Sequence, residues 1–177
     1  MKSSFVWVAG PSGAGKDTLL RLAQEALCAD PRIYFARRLV TRPQPAWGEE
    51  YVSPEDLAAL EKQGWLALSW QAHGWEYALP WSALPQDGRL VVVSVSRQTL
   101  PSLRQTLGGS TILIDADPQI RRARLLARDR ESTNAISERL ARQVPLRPDV
   151  VDFSISNNGA VEDALTDLLM ILRNLLD

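Results

Sequence analysis

Cysteine and histidine are nearly missing from this chain, with one of each in 177 residues. A lone Cys28 cannot form an internal disulfide, and it fits a reducing, cytoplasmic compartment. It falls late in a helical pattern, where a core or surface thiol, rather than a catalytic one, is the expected role. One histidine, His73, excludes a histidine-rich metal centre and leaves little for imidazole-based acid–base chemistry. No apolar run approaches the roughly 20 residues that a membrane-spanning helix needs. The early apolar run Phe5–Ala9 turns at once into a glycine-rich segment, unlike the apolar region of a signal peptide. Internal repeats and low-complexity stretches are absent. Net charge is −1, so bulk electrostatics do not suggest a nucleic-acid partner. Lysine is scarce as well: the 20 basic residues comprise 3 Lys and 17 Arg, and 8 of the Arg lie between Arg121 and Arg147. A guanidinium presents a fork of donors that suits phosphate oxygens.

What is present is the segment Gly10-Pro11-Ser12-Gly13-Ala14-Gly15-Lys16-Asp17-Thr18. It has the spacing G-x-x-x-x-G-K-[ST], with Asp17 where the hydroxyl residue is expected. Its glycines let backbone N–H groups surround phosphate oxygens, and Lys16 adds a point charge at the β/γ-phosphates. The context is the required one: an apolar strand over Phe5–Ala9, then the loop, then a helix starting near Lys16 with Leu19, Leu20, Leu22, Ala23, Ala26 and Leu27 as its apolar stripe. ATP is the expected donor, with Mg²⁺. Asp17 has two readings: a metal-orienting carboxylate, or a first-turn acid interacting with the helix dipole.

At this length one domain with a full core is expected. Short apolar runs alternate with helical patterns, an α/β signature. Strands are expected over Phe5–Ala9, Arg32–Val40, Arg89–Val95, Ser110–Ala116 and Asp152–Ser156. Ser53-Pro54-Glu55-Asp56 reads as a helix start and Gly64 as its stop. Asp117-Pro118 opens the next long helix in the same way, and Val161–Leu176 is an amphipathic terminal helix. Between Val40 and Asp87 the pattern breaks. Trp47, Trp65, Trp70, Trp75 and Trp81 gather there, most of them expected to pack a small subdomain.

These residues resemble the guanylate-kinase-like branch of P-loop kinases along nearly the whole chain. The match rests on the loop, on Val40-Thr41-Arg42-Pro43 with Gly48-Glu49-Glu50-Tyr51, and on Gly74-Trp75-Glu76-Tyr77. It rests also on Arg124-Leu125 through Arg128-Asp129-Arg130-Glu131 and Ile136 to Arg139-Leu140. The resemblance implies a P-loop NTPase fold: a central parallel β-sheet flanked by helices, with a small acceptor-binding insertion and an Arg-rich lid. The expected partition is a core of residues 1–40, 88–120 and 145–177, an insertion of about 41–87 and a lid of about 121–144. It implies that Arg42, Tyr51, Tyr77 and Arg139 contact the acceptor. Lys16, Arg128 and Arg139 would act in catalysis. The loop residues would hold the nucleotide with Arg124 and Arg128, and Arg142 is a further candidate.

The departures matter. A carboxylate that reads guanine in guanylate kinases falls on Leu68 here, beside Ser69, so the donors of a guanine edge would be left unpaired. The small hydroxyl residue after the Tyr-Gly is replaced by Ala78-Leu79, and the second arginine of the acceptor segment by Gln44 or Pro45. The acids that end the family's third strand become Ser94-Val95-Ser96. In these features, and in Ala67-Leu68-Ser69-Trp70-Gln71-Ala72-His73-Gly74-Trp75-Glu76-Tyr77, the chain resembles the ribose 1,5-bisphosphate phosphokinase branch of phosphonate catabolism. That resemblance implies a small-molecule acceptor, ribose 1,5-bisphosphate, and an already ionised phosphate nucleophile that needs no general base. A nucleoside monophosphate kinase and a non-catalytic interaction module are the competing readings, the latter disfavoured by the intact Gly10–Lys16 loop. If Asp17 orients the metal, Asp17→Ser changes both the Mg²⁺ dependence and the rate of phosphoryl transfer; an unchanged magnesium titration of the variant overturns that role.

Overall fold

The structure, a computed structural model, describes residues 4–127, 140, 144, 146 and 148–176. Its frame is a five-stranded, wholly parallel sheet made of β1 (Ser4–Ala9), β2 (Ile33–Phe35), β7 (Leu90–Ser94), β8 (Ser110–Asp115) and β9 (Phe153–Ser156), in the order β2-β7-β1-β8-β9. β1 sits at the centre because it is apolar on both faces. Val6 and Val8 point into a core shared with α1 (Lys16–Ala26) and α5 (Val161–Asn174). Phe5, Trp7 and Ala9 point into a second core on the opposite face, together with α3 (Leu100–Leu107). The two-residue period of a strand therefore divides one segment between two cores. The amphipathic terminal helix is as expected: Ala164, Leu168 and Leu172 are buried on one face of α5, against α1 and β9.

A second, four-stranded sheet is built from β3 (Arg38–Val40), β4 (Glu49–Tyr51), β5 (Leu66–Ala72) and β6 (Trp75–Pro80), in the order β4-β3-β6-β5. The strand expected over Arg32–Val40 is thus two strands in two sheets. β2 pairs with β7 from Ile33 to Phe35, and the Ala36 N–H makes a final bond to the Val92 carbonyl at 2.9 Å. The chain then leaves the first sheet, and β3 pairs parallel to β4 and antiparallel to β6. The paired charges Arg37-Arg38 mark the break within an otherwise apolar run.

Helix α2 (Pro54–Lys62) forms as its sequence predicts. The Ser53 hydroxyl accepts from the Asp56 N–H at 3.0 Å. At its end Gly64 N–H bonds to the Glu61 carbonyl and Trp65 N–H to the Leu60 carbonyl, a Schellman motif. Helix α4 (Pro118–Leu126) differs from expectation: Asp117 makes no side-chain cap. Asn158 occupies it instead, its Oδ1 accepting the Asp117 N–H at 2.7 Å and its Nδ2 donating to Asp117 Oδ1 at 3.1 Å.

The tryptophans divide. Trp70 is buried and stacks on Tyr77, with ring centres 5.6 Å apart, and Trp47 packs partly on the first core. Trp65, Trp75 and Trp81 are 58%, 38% and 48% exposed, so the expected packing role fails for these three. Among the described residues no helix is long and apolar enough to cross a membrane.

Leu168 is fully buried at the α5–sheet contact. Leu168→Ala removes side-chain volume that neighbouring strands cannot refill, so unfolding free energy falls by about 2–5 kcal/mol, read from the urea midpoint at unchanged slope.

Candidate active site

The cleft lies where the carboxyl ends of β1 and β7 meet the second sheet. It is lined on one wall by Gly10, Ser12, Gly13, Gly15, Lys16 and Asp17. On the other wall stand Arg38, Arg42, Glu49, Trp70 and Tyr77, with His73, Ser96, Arg97 and Leu125 toward the rims.

The first wall is a phosphate cradle whose backbone is tightly specified. Gly10 leaves β1 so close to β8 that a Cβ there would stand 1.9 Å from the Ile114 carbonyl oxygen. Gly15 has φ +88°, in the left-handed region, and caps α1; a Cβ on it would meet Asn157 Nδ2 at 2.4 Å. Asn157 is buried at the end of β9, and its Nδ2 donates to the Ala14 carbonyl at 2.8 Å. That bond turns the Ala14 carbonyl away from the cradle. Pro11 and Ala14 are buried and serve through their backbone, the Ala14 N–H bonding the Pro11 carbonyl at 3.2 Å. Lys16 Nζ reaches back to the Gly10 carbonyl at 3.1 Å. Arg124 comes from α4: its Nη1 lies 3.6 Å from the Cβ position of Gly15, and it is buried without a hydrogen-bond partner among the described residues. An unpartnered guanidinium nitrogen beside inward-facing amides, at the N-terminus of a helix, is a donor set that fits phosphate oxygens.

The second wall is organised by Glu49, whose side chain is 3% exposed. One carboxylate oxygen accepts from Arg38 Nη2 at 2.8 Å; the other is paired with Arg42 Nη2 and accepts the Ala46 N–H at 2.7 Å. Arg42 also donates from Nε to the Gln44 carbonyl at 2.9 Å. Its neighbour Thr41 fixes its position against the hairpin: Thr41 N–H bonds the Glu76 carbonyl at 3.0 Å, and Thr41 Oγ1 accepts the Glu76 N–H at 3.1 Å. This places Arg42 and Tyr77 on the same wall. His73, with φ +55°, and Gly74 form the two-residue turn between β5 and β6, and His73 lines the cleft.

Several expected residues stand elsewhere. Tyr51 is 49% exposed on the edge strand β4 and does not line the cleft. The strand period puts it on the Glu49 face, but two residues farther along. Thr18 is exposed on α1, turned away while Asp17 faces the cleft. Arg128, Arg139 and Arg142 lie outside the described residues. Leu68 shares a strand face with Trp70 and Ala72 but packs into the second core, and Ser69 donates to Glu61 at 2.8 Å, so neither lines the cleft.

No protein-family profile matches the chain. Two curated relatives match along nearly the whole chain. It is 42% identical over 175 residues to the ribose 1,5-bisphosphate phosphokinase PhnN of Rhodopseudomonas palustris, covering 96% of this chain and 88% of that protein. It is 42% identical over 178 residues to PhnN of Methylobacterium radiotolerans, covering 98% and 99%. The chain belongs to the ribose 1,5-bisphosphate phosphokinase family. Among solved structures it is similar to a guanylate kinase from Anaplasma phagocytophilum, with a TM-score of 0.69 and 16% identity over 99% of this chain and 87% of that one, which shows the shared fold.

The protein is accordingly a kinase of the P-loop type. Beside the residues that its motifs single out, the cleft of this family member holds Arg38 and Glu49, and the buried Asn157 supports its loop, three residues that motif reading passes over. Arg38 and Glu49 sat inside stretches read as a strand and as spacer letters. Asn157 gives no sign until β9 is seen to end against the loop.

Gly15→Ala forces a side chain into positive φ and against Asn157. The variant is expected to lose about 1–3 kcal/mol of stability and most of its ATP binding, checked by thermal melting and nucleotide calorimetry.

Proposed function

We propose that this kinase transfers the terminal phosphoryl group of ATP to ribose 1,5-bisphosphate, giving 5-phospho-α-D-ribose 1-diphosphate and ADP in a cytoplasmic setting. The observation that carries this is the composition of the cleft. An intact phosphate cradle faces a wall bearing two guanidinium groups, and among the described residues no carboxylate on that wall is left to read a guanine edge, because Glu49 is occupied by Arg38, Arg42 and Ala46.

The loop amides and Lys16 hold the donor's β- and γ-phosphates, and Arg124 reaches the same oxygens from α4. Arg42 and Tyr77 hold the phosphate of the acceptor and bring one of its oxygens in line with the γ-phosphorus. A phosphorus–oxygen bond forms from the acceptor phosphate as the bond from the γ-phosphorus to the bridging oxygen of ATP breaks, and the electron pair leaves on ADP. The nucleophile is an ionised phosphate oxygen, so no side chain has to remove a proton. The contribution of the protein is position and charge. Arg128 and Arg139, by the family's pattern, add positive charge at the transferring group.

The residues fit Mg²⁺ carried on the nucleotide. Among the described residues no cluster of three or more acidic, histidine or cysteine side chains forms a dedicated cage, whereas Mg²⁺ commonly takes one or two carboxylates with phosphates and water. Asp17, 32% exposed in the cleft, would be the carboxylate that serves it. When bound, the ion would neutralise charge on the phosphates of the nucleotide.

The test is direct. The protein is incubated with Mg-ATP and either ribose 1,5-bisphosphate or GMP, and ADP is measured. Turnover of the sugar bisphosphate at a kcat/KM well above that for GMP is expected; faster turnover of GMP overturns the assignment.

A further inference from the structure

Arg38 enters the cleft from β3 and meets three elements there. Its Nη1 donates to the Ser94 carbonyl at 2.9 Å and to the Ser94 hydroxyl at 2.8 Å, at the end of β7. Its Nη2 donates to Glu49 and stands 4.0 Å from Asp17, at the start of α1. Its guanidinium carbon is 5.5 Å from the centre of the Tyr77 ring. The side chain is only 12% exposed, and Nε is buried with no hydrogen-bond partner among the described residues.

Among the described residues that line the cleft, the cationic side chains Lys16, Arg38, Arg42 and Arg97 outnumber the carboxylates of Asp17 and Glu49. Arg38 and Arg42 share Glu49, and the second carboxylate near Arg38 is Asp17, at 4.0 Å on the facing wall. Ser94 offers Arg38 two neutral acceptors and no charge. A buried guanidinium serving only to join two sheets would be matched by its own carboxylate, because an uncompensated buried charge is costly. An excess of positive charge on the wall of a cleft marks a place for an anion that arrives with the ligand.

We propose that Arg38 is a specificity-determining residue for the acceptor: its guanidinium, held by Glu49 and Ser94, takes a phosphate of the acceptor beside the one held by Arg42. Two guanidinium groups on one wall then select a sugar carrying two phosphates over a nucleoside monophosphate, whose neutral base offers Arg38 no anion. This rests on the acceptor reading given above and deepens it.

The experiment measures binding separately from turnover. Calorimetry with ribose 1,5-bisphosphate and with ATP is run on the wild type, Arg38→Lys and Arg38→Met, together with thermal melts and steady-state kinetics. Loss of a charge-assisted contact predicts roughly a 10- to 100-fold weaker Kd for ribose 1,5-bisphosphate in Arg38→Met. A smaller loss is expected in Arg38→Lys, which keeps the charge but not the fork, and ATP affinity is expected to be unchanged in both. If Arg38→Met does not fold, Arg38→Lys, which can still pair with Glu49, decides alone. Wild-type turnover of ribose 1,5-bisphosphate with unchanged acceptor affinity in the folded variants overturns the role of Arg38 and leaves the proposed function standing. A wild type that neither binds nor turns over ribose 1,5-bisphosphate overturns both.

Discussion

A carboxylate sealed from water inside a cleft wall is costly to bury unless cations and N–H donors meet it, and Glu49 is such a group. Its two oxygens take Arg38, Arg42 and the Ala46 N–H. Much of the acceptor wall follows from that. β4 must present Glu49 inward, β3 must bring Arg38 to it, and the turn between them must fold back so that Ala46 can donate. Arg38 then extends to Ser94, and Gln98 donates to the Gln71 carbonyl at 3.0 Å, so the second sheet is tied to the first at two places beside the cleft. The cleft is the space that this tie holds between the sheets.

The phosphate cradle obeys a different constraint, one of room. Gly10 and Gly15 lie against a backbone carbonyl and a side-chain amide that leave no space for a Cβ. The first neighbour is on β8 and the second is Asn157, at the end of β9. The loop that takes the donor is therefore shaped by strands far from it in sequence, and the spacing of glycines records only its own half of the fit.

This explains what could be read from the sequence. The parallel sheet was legible because Phe5–Ala9, Val91–Val93 and Ile112–Ile114 are apolar without alternation, as buried central strands must be. The loop was legible because its chemistry is local. The acceptor wall was only partly so. Arg42 and Tyr77 sit within recognisable motifs, but Arg38 lies in a strand whose change of sheet is a tertiary event, and Glu49 becomes a pivot only when two arginines converge on it. The tryptophans misled for a related reason. Indole is usually buried, yet Trp65 stands just before β5 and Trp81 just after β6, joined by a backbone bond of 3.0 Å and exposed.

Asn157 and Asn158 are neighbours with separate partners. The first grips the Ala14 carbonyl of the phosphate loop, and the second exchanges hydrogen bonds with Asp117 at the head of α4, the helix that carries Arg124. One peptide unit, about 3.8 Å between α-carbons, therefore acts as a gauge block between two parts that the proposed function brings to one triphosphate. Any tolerance in where Arg124 sits relative to the cradle is inherited from that single rigid spacer, and not accumulated over the more than one hundred residues of chain that separate the loop from the helix.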